Sequence, residues 1–93
     1  MNNIILPLTQ KQKHILRYIV KMIRKKGYPP TINELRNDLK IKNLGTVYSH
    51  LTGLEKKGYI KKIKNQERGI RLTDISENLT LKQVDTIEEK NRG

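Results

Sequence analysis

The chain has 93 residues, enough for one domain, and it contains no cysteine, which excludes disulfides, thiol catalysis and cysteine-ligated zinc. The net charge of +11 is unevenly spread: residues 1–72 hold 17 Lys and Arg against four Asp and Glu, whereas residues 73–93 carry a net charge of −2. A basic body with a mildly acidic tail favours a polyanionic partner, although a lysine-rich composition alone also gives a basic, soluble protein.

The sequence gives little support to several function classes. No apolar run approaches the roughly 20 residues that cross a bilayer, and the first residues lack the basic start of a signal peptide. His14 and His50 have no neighbouring acidic cluster that would complete a metal site. No carboxylate pair, Ser/Lys dyad or phosphate loop stands out. We therefore expect a cytoplasmic protein that is not an enzyme and has no metal, cofactor or membrane contact.

The first predicted helix begins after Thr9 and ends at Gly27. Thr9 and Gln12 have capping-box spacing, in which each side chain bonds the backbone N–H of the other residue. Apolar residues at positions 15, 16, 19, 20 and 23 form one face, and basic residues occupy much of the remainder. A basic amphipathic helix also suits a membrane surface, but the apolar face lacks large aromatic residues, so we expect core packing.

Two shorter helices joined by a turn are predicted next. Thr31 and Glu34 form a second capping-box pattern, and Asn43 is a good N-cap for the third helix. At about 100° per residue, one side of the third helix forms a predicted core stripe of Leu44, Val47, Leu51 and Leu54. The opposite face is small, polar and almost uncharged, as suits a helix in the DNA major groove. The alternative is two packed helices of a small bundle.

A β-hairpin is predicted after the third helix. Residues 59–63 and 70–72 read as short strands, and the polar segment 64–69 between them contains turn residues. After a recognition helix such a hairpin is a wing, whose Lys64, Asn65 and Arg68 can reach phosphates or the minor groove. It also suits a structural cover for the core, and both roles are compatible. In residues 73–93, Ser76 is a candidate cap for a further helix; a dimerisation helix, a docking segment and a frayed tail are all compatible with this segment.

Three helices followed by a hairpin predict a mostly α fold with a small β-hairpin, the three-helix winged helix-turn-helix. Several segments occur together in a characteristic order and spacing: Leu8-Thr9 with Gln12, Gly27-Tyr28-Pro29-Pro30-Thr31 with Glu34, Thr46-Val47 with His50-Leu51, Leu54-Glu55-Lys56-Lys57-Gly58-Tyr59-Ile60, and Arg68-Gly69-Ile70. With them, residues 8–72 resemble the DNA-binding domain of LexA-type repressors. The resemblance implies double-stranded DNA binding, a homodimer on a palindromic operator and repression of downstream genes. We divide the chain into a lead-in (1–8), a DNA-binding domain (9–72) and an acidic tail that includes a candidate helix (73–93).

Two departures from this family limit what the resemblance implies. LexA-type repressors carry a second domain that dimerises and cuts its own linker with a Ser–Lys dyad, and this chain ends at Gly93. We therefore expect no self-cleavage. The start of the recognition helix also differs from the serine and polar residues common in the family, so the operator sequence does not transfer.

Candidate DNA contacts follow from these positions. The base-reading candidates lie at the start and outer flank of the third helix: Asn43, Gly45, Thr46, Tyr48 and Ser49. The backbone-contact candidates lie near helix starts and on the basic rim: Thr9, Lys11, Thr31, Arg36, Lys42 and Lys56. Alternatives exist for several, since the Asn43 oxygen also suits a cap, Tyr48 also suits packing on the wing, and both threonines are explained by capping. His50 fits the core edge better than a DNA contact.

The resulting functional hypothesis is a sequence-specific, double-stranded DNA-binding regulator, most simply a repressor. One alternative is a protein-interaction module that modulates a full-length LexA-like repressor through the acidic tail. Another is non-specific coating of DNA by the basic body, which predicts affinity indifferent to sequence.

Overall fold

The computed structural model describes residues 5–87, and these adopt the predicted winged helix-turn-helix. Helix α1 spans Gln10–Lys26, α2 Ile32–Asp38 and α3 Leu44–Lys56. Strands β1 (Ile60–Lys62) and β2 (Ile70–Leu72) pair antiparallel, with Ile60 opposite Leu72. Two short helices follow, α4 (Asp74–Glu77) and α5 (Leu81–Thr86). The first half of the predicted lead-in and the end of the predicted tail, residues 1–4 and 88–93, lie outside the described residues.

The predicted helix starts are confirmed. Thr9 Oγ1 accepts the backbone N–H of Gln12 at 3.1 Å, and the Gln12 side chain accepts that of Thr9 at 3.1 Å. Thr31 and Glu34 form the same reciprocal pair, with both bonds at 3.0 Å. Gly27 ends α1 with φ 85°, in the left-handed region where a side chain would be strained.

The core is aliphatic and lies between α1, α2, α3 and the hairpin. Its fully buried members include Leu16, Ile19, Val20, Leu35, Val47, Leu51 and Leu54. Leu44 does not belong to it, so the predicted stripe is wrong at this position: the residue is 37% exposed. Side chains of a helix tilt toward its N-terminus, and Leu44 is the first residue of α3, so its side chain covers the surface before the helix. Leu39 and Ile41, between α2 and α3, are partly buried and pack against the core.

Residues 73–87 pack on the core as part of the fold. Val84 is fully buried and Leu79 is 7% exposed, both within the main hydrophobic cluster. The predicted cap at Ser76 is wrong: α4 follows Thr73 and α5 follows Thr80, which forms a capping box with Gln83. Ser76 is buried, and its hydroxyl donates to the Tyr59 carbonyl at 2.6 Å.

Polar contacts fasten α5 to the basic side of α1. The Arg17 guanidinium lies 3.0 Å from Asp85 Oδ1, and Lys13 Nζ donates to the Asp85 carbonyl at 2.9 Å. Arg24 donates to the carbonyl of Leu79. Part of the basic surface of α1 is therefore turned toward the C-terminal segment.

The C-terminal end of α3 is anchored to the start of α1. Lys57 Nζ donates to the Pro7 carbonyl and to Gln12 Oε1, both at 2.8 Å. Gly53 lies against the same glutamine, because a Cβ at this position would lie 2.4 Å from Gln12 Nε2. A single glutamine thus caps α1, accepts the lysine and touches α3.

Candidate nucleic-acid interface

Helix α3 has two clearly different faces. Val47, Leu51 and Leu54 are fully buried against the rest of the fold. The outward face consists of exposed residues, namely Gly45, Tyr48, Ser49, Thr52 and Lys56. Within residues 5–87, the hydroxyl groups of Ser49 and Thr52 make no hydrogen bond. Their donors and acceptors are therefore available to an external partner.

Asn43 is the N-cap of α3, as predicted. Its Oδ1 accepts the backbone N–H of Thr46 at 2.9 Å and the Thr46 hydroxyl at 3.1 Å. Both lone pairs are thereby used, whereas the amide nitrogen has no partner among the described residues. With this cap intact, Asn43 presents only donors to a ligand. The hydroxyl oxygen of Thr46, having donated its proton to Asn43, presents only an acceptor.

Tyr48 lies between α3 and the hairpin, and it is 49% exposed. Lys62 Nζ of β1 is 5.8 Å from the centroid of its ring, close enough for a cation–π contact. The same ammonium lies 3.9 Å from Glu55 Oε1. Tyr48 therefore contacts the hairpin and is also accessible to an external partner.

A basic cleft of about 680 Å³ lies where α1, the α2–α3 turn and α3 meet. Lys11, Lys40 and Lys42 line it together with both histidines of the chain, His14 and His50. None of the Asp and Glu residues within 5–87 lines this cleft. The half-buried position of His50 agrees with its predicted place at the core edge. The arrangement suits a phosphate group, because several cations converge without a competing carboxylate.

The remaining candidates for phosphate contact lie at the surface. The hydroxyls of Thr9 and Thr31 accept their cap bonds but donate to none of residues 5–87, so each keeps a proton for a ligand. The guanidinium of Arg36 and the ammonium of Lys56 make no hydrogen bond or ion pair with the described residues.

The three predicted wing residues differ in their surroundings. Lys64 and Asn65 are exposed at the turn, where Asn65 adopts φ 61°. Arg68, in contrast, lies with its guanidinium carbon 4.6 Å from the centroid of the Tyr28 ring, over that ring. Its guanidinium also donates to the Pro29 carbonyl at 2.9 Å.

Arg68 also forms a two-pronged ion pair with Glu34. Nη1 and Nη2 donate to the two carboxylate oxygens, each at 2.8 Å. The hydrogen bonds from Arg68, followed by the one from the Thr31 backbone, lower the pKa of Glu34 to about 2. Sequence reasoning missed this pair, because the two residues are 34 positions apart and neither carries a local signal of the other.

Two other kinds of site have no support in the part of the chain that the structure describes. Among residues 5–87, no group of three or more His, Asp or Glu residues could hold a metal ion. The helices within that range are too short or too polar to cross a membrane.

The sequence model of the LexA DNA-binding domain matches residues 5–69, most of the chain. This chain belongs to the family of LexA DNA-binding domains. The resemblance drawn from the capping boxes, the third helix and the hairpin is thereby confirmed.

Among known LexA proteins, the repressor of Caldicellulosiruptor saccharolyticus is 46% identical over 67 residues, which cover 72% of this chain and 33% of that protein. The LexA repressor of Leptospira biflexa is 49% identical over 65 residues, which cover 70% of this chain and 32% of that protein. The LexA repressor of Desulfitobacterium hafniense is 38% identical over 77 residues, which cover 83% of this chain and 38% of that protein. The chain therefore spans about a third of the length of these bacterial relatives.

The match to the LexA DNA-binding domain ends just before β2. Strand β2 and helices α4 and α5 follow it, yet Ile70, Leu79 and Val84 belong to the hydrophobic core. In this LexA-type domain the packed unit is therefore longer than the segment that matches the family's sequence model.

Proposed function

We propose that this LexA-type domain is a sequence-specific, double-stranded DNA-binding repressor that acts as a homodimer. The observation that carries the proposal is the outward face of α3, whose small polar groups have no partner in residues 5–87 and are surrounded by lysines. The residues of this face include no acidic side chain, and a face that was merely solvated would not need to exclude one. A helix whose first turns enter the major groove does.

Base reading is assigned to Asn43, Gly45, Thr46, Tyr48 and Ser49. Because the Asn43 oxygen is committed to the cap, this residue donates to acceptors such as guanine O6 or N7 or thymine O4, and it cannot clamp adenine from both sides. Thr46 offers its oxygen to a base amino group. Gly45 lets the groove wall approach the helix, since a side chain there would stand on the outward face.

Phosphate contacts are assigned to Thr9, Lys11, Thr31, Arg36, Lys42 and Lys56. Lys11 and Lys42 share the basic cleft, and the threonine hydroxyls have free protons at the starts of α1 and α2. On the wing, Lys64 and Asn65 are assigned to phosphates or the minor groove. Arg68 is assigned a supporting part, because its ion pair with Glu34 holds the hairpin against α2.

The homodimer follows from the size of the unit. One recognition helix with its wing covers roughly one half-site, and LexA-like readers gain affinity by binding two half-sites together. Repression follows if such an operator overlaps a promoter. The expected lack of self-cleavage stays a prediction.

Selection of bound sites from random duplex DNA at about 150 mM salt tests the proposal, since phosphate-only binding is weak there. We expect an enriched palindrome, whose half-site spacing gives the dimer geometry. Enrichment of a single half-site would remove the homodimer. No enrichment, despite binding at low salt, would overturn sequence-specific recognition and favour coating of DNA by the basic body.

Single charge variants sharpen this test. Lys56→Gln removes one proposed phosphate contact from each protomer, so the slope of log K against log salt should flatten by about 0.9 for each bound half-site. Lys82→Gln is the matched control, because Lys82 is exposed on α5, and it should leave the slope unchanged. Equal slopes for the wild type and Lys56→Gln would remove Lys56 from the interface.

The protein-interaction alternative depended on a free acidic tail. Its described part packs on α1, so deletion of residues 73–93 would remove the core residues Leu79 and Val84. Substitution of the exposed Glu77 is the better test of a partner surface, because it leaves the core intact.

A further inference from the structure

Leu44 and Tyr48 form an exposed apolar pair at one edge of the outward face of α3. They are 37% and 49% exposed, and they lie four residues apart, which places them side by side on a helix. Of the other exposed residues of α3, Gly45, Ser49 and Thr52 are small, whereas Glu55 and Lys56 near its end are charged. Leu44 is the first residue of the helix and does not belong to the cluster of buried core residues.

The charge around this pair limits what can cover it. Lys40, Lys42, Lys56 and Lys64 are exposed on or beside α3 and the hairpin, and Glu55 is already close to Lys62. A second copy of the chain docked here would bring these lysines together. A DNA duplex brings phosphates to the lysines, and its major groove contains one apolar group on the base edges, the C5-methyl of thymine.

We propose that Leu44, together with Tyr48, packs against thymine C5-methyl groups and so selects thymines in each half-site. This inference rests on the proposed DNA-binding function and assigns a reading role to Leu44. Four residues of helix rise by about 6 Å, which is close to two base-pair steps of about 3.4 Å. For a helix axis that follows the groove, the two side chains reach methyl groups at most about two base pairs apart.

Tyr48 is suited to this contact by its neighbour. Lys62 lies at the ring, which restricts where the phenol can turn, and it supplies a cation for the adjacent phosphate. The ring then faces the base edges with its apolar surface, and its hydroxyl is not required.

Removal of single methyl groups from the DNA tests the proposal. The full chain is titrated with the selected site, in which one thymine at a time is replaced by deoxyuridine, a change that deletes only the methyl. At one or two positions we expect wild-type affinity to fall about fourfold per methyl. Leu44→Ala should bind the thymine site more weakly than the wild type and lose most of its response to uracil at the position that Leu44 reads.

Three further variants make the result specific. Tyr48→Phe should keep the response to uracil and Tyr48→Ala should lose it at the second position. Ile5→Ala, an exposed aliphatic outside α3, should respond as the wild type. Circular dichroism confirms that each variant is folded, which we expect for Leu44→Ala because the side chain lies outside the core.

The outcomes separate this inference from the proposed function. An enriched operator whose half-site lacks thymine, or uracil effects equal in the wild type and Leu44→Ala, would overturn the reading role of Leu44 and leave DNA recognition standing. Absence of any enriched operator would overturn both.

Discussion

Glu34 and Arg68 join the second helix to the hairpin through one carboxylate. Both carboxylate oxygens accept from the guanidinium at 2.8 Å, and Oε1 also accepts the Thr31 backbone N–H at 3.0 Å. Glu34, which completes the capping box of α2, thus also binds the hairpin through Arg68. Any change in this pair affects the relative placement of two proposed DNA-contacting elements.

Substitution Glu34→Gln should lower the melting temperature at pH 7, by at most about 5 °C because both side chains are more than a third exposed. The pKa of Glu34 is lowered from 4.5 to about 2 in the folded state, so its stabilisation is complete above pH 4.5 and is lost as the pH falls through 2. Thermal melts at pH 7, 5 and 3 should show the variant approaching the wild type on acidification. Glu77→Gln, at an exposed site, is the control. A difference from the wild type that stays constant over this pH range would contradict the assignment.

Two substitutions at Asn43 separate its cap from base reading. Asn43→Ala removes the cap and should cost about 1 kcal/mol of unfolding free energy, measured by urea denaturation. Asn43→Ser keeps a capping oxygen and should be nearly as stable as the wild type, yet it lacks the amide donor. We expect both variants to bind the operator more weakly. Wild-type affinity in Asn43→Ser would show that the amide reads no base.

Glycines 45 and 53 of α3 should respond oppositely to alanine. At Gly53 the new methyl displaces the Gln12 amide, which holds the Thr9 cap and accepts Lys57, so we expect a net loss of about 1–3 kcal/mol. At Gly45 the nearest atom is Asn43 Oδ1 at 3.4 Å, and alanine should stabilise the helix by about 0.5–1 kcal/mol. If Gly45 faces the groove, that more stable variant binds the operator less tightly. Equal melting temperatures for the two variants would refute the close packing at Gly53.

Truncation of Val84 tests whether α5 belongs to the folded unit. The side chain is fully buried, and Val84→Ala should cost about 2 kcal/mol of unfolding free energy in a single cooperative transition. Lys82→Ala, exposed on the same helix, should change it by less than about 0.5 kcal/mol. A negligible effect of Val84→Ala would show that α5 is not docked in solution.

Local signals in the sequence predicted the helix boundaries and the hairpin, because capping boxes and turn residues act over three or four positions. The failures have two causes: the direction of side chains at a helix start, and contacts between distant parts of the chain. Leu44 fits the core stripe by angle, but the tilt of side chains at a helix start places it outside. The charge of Arg68 and its position in the hairpin are typical of a wing contact to DNA. Only the folded chain brings Glu34 next to it. The docking of residues 73–87 depends on which side of α1 is left open, which periodicity alone does not define.

The attachment of Lys57 to Pro7 and Gln12 has an evolutionary consequence. It fixes α3 at its C-terminal end. The exposed side chains in the first turns of the same helix contribute little to the stability of the fold. Mutations at positions 44, 45 and 49 can therefore accumulate without unfolding the domain. Under the proposed function, a lineage carrying this scaffold can acquire new target genes by altering a few codons, while the anchored half of the helix stays under selection for stability.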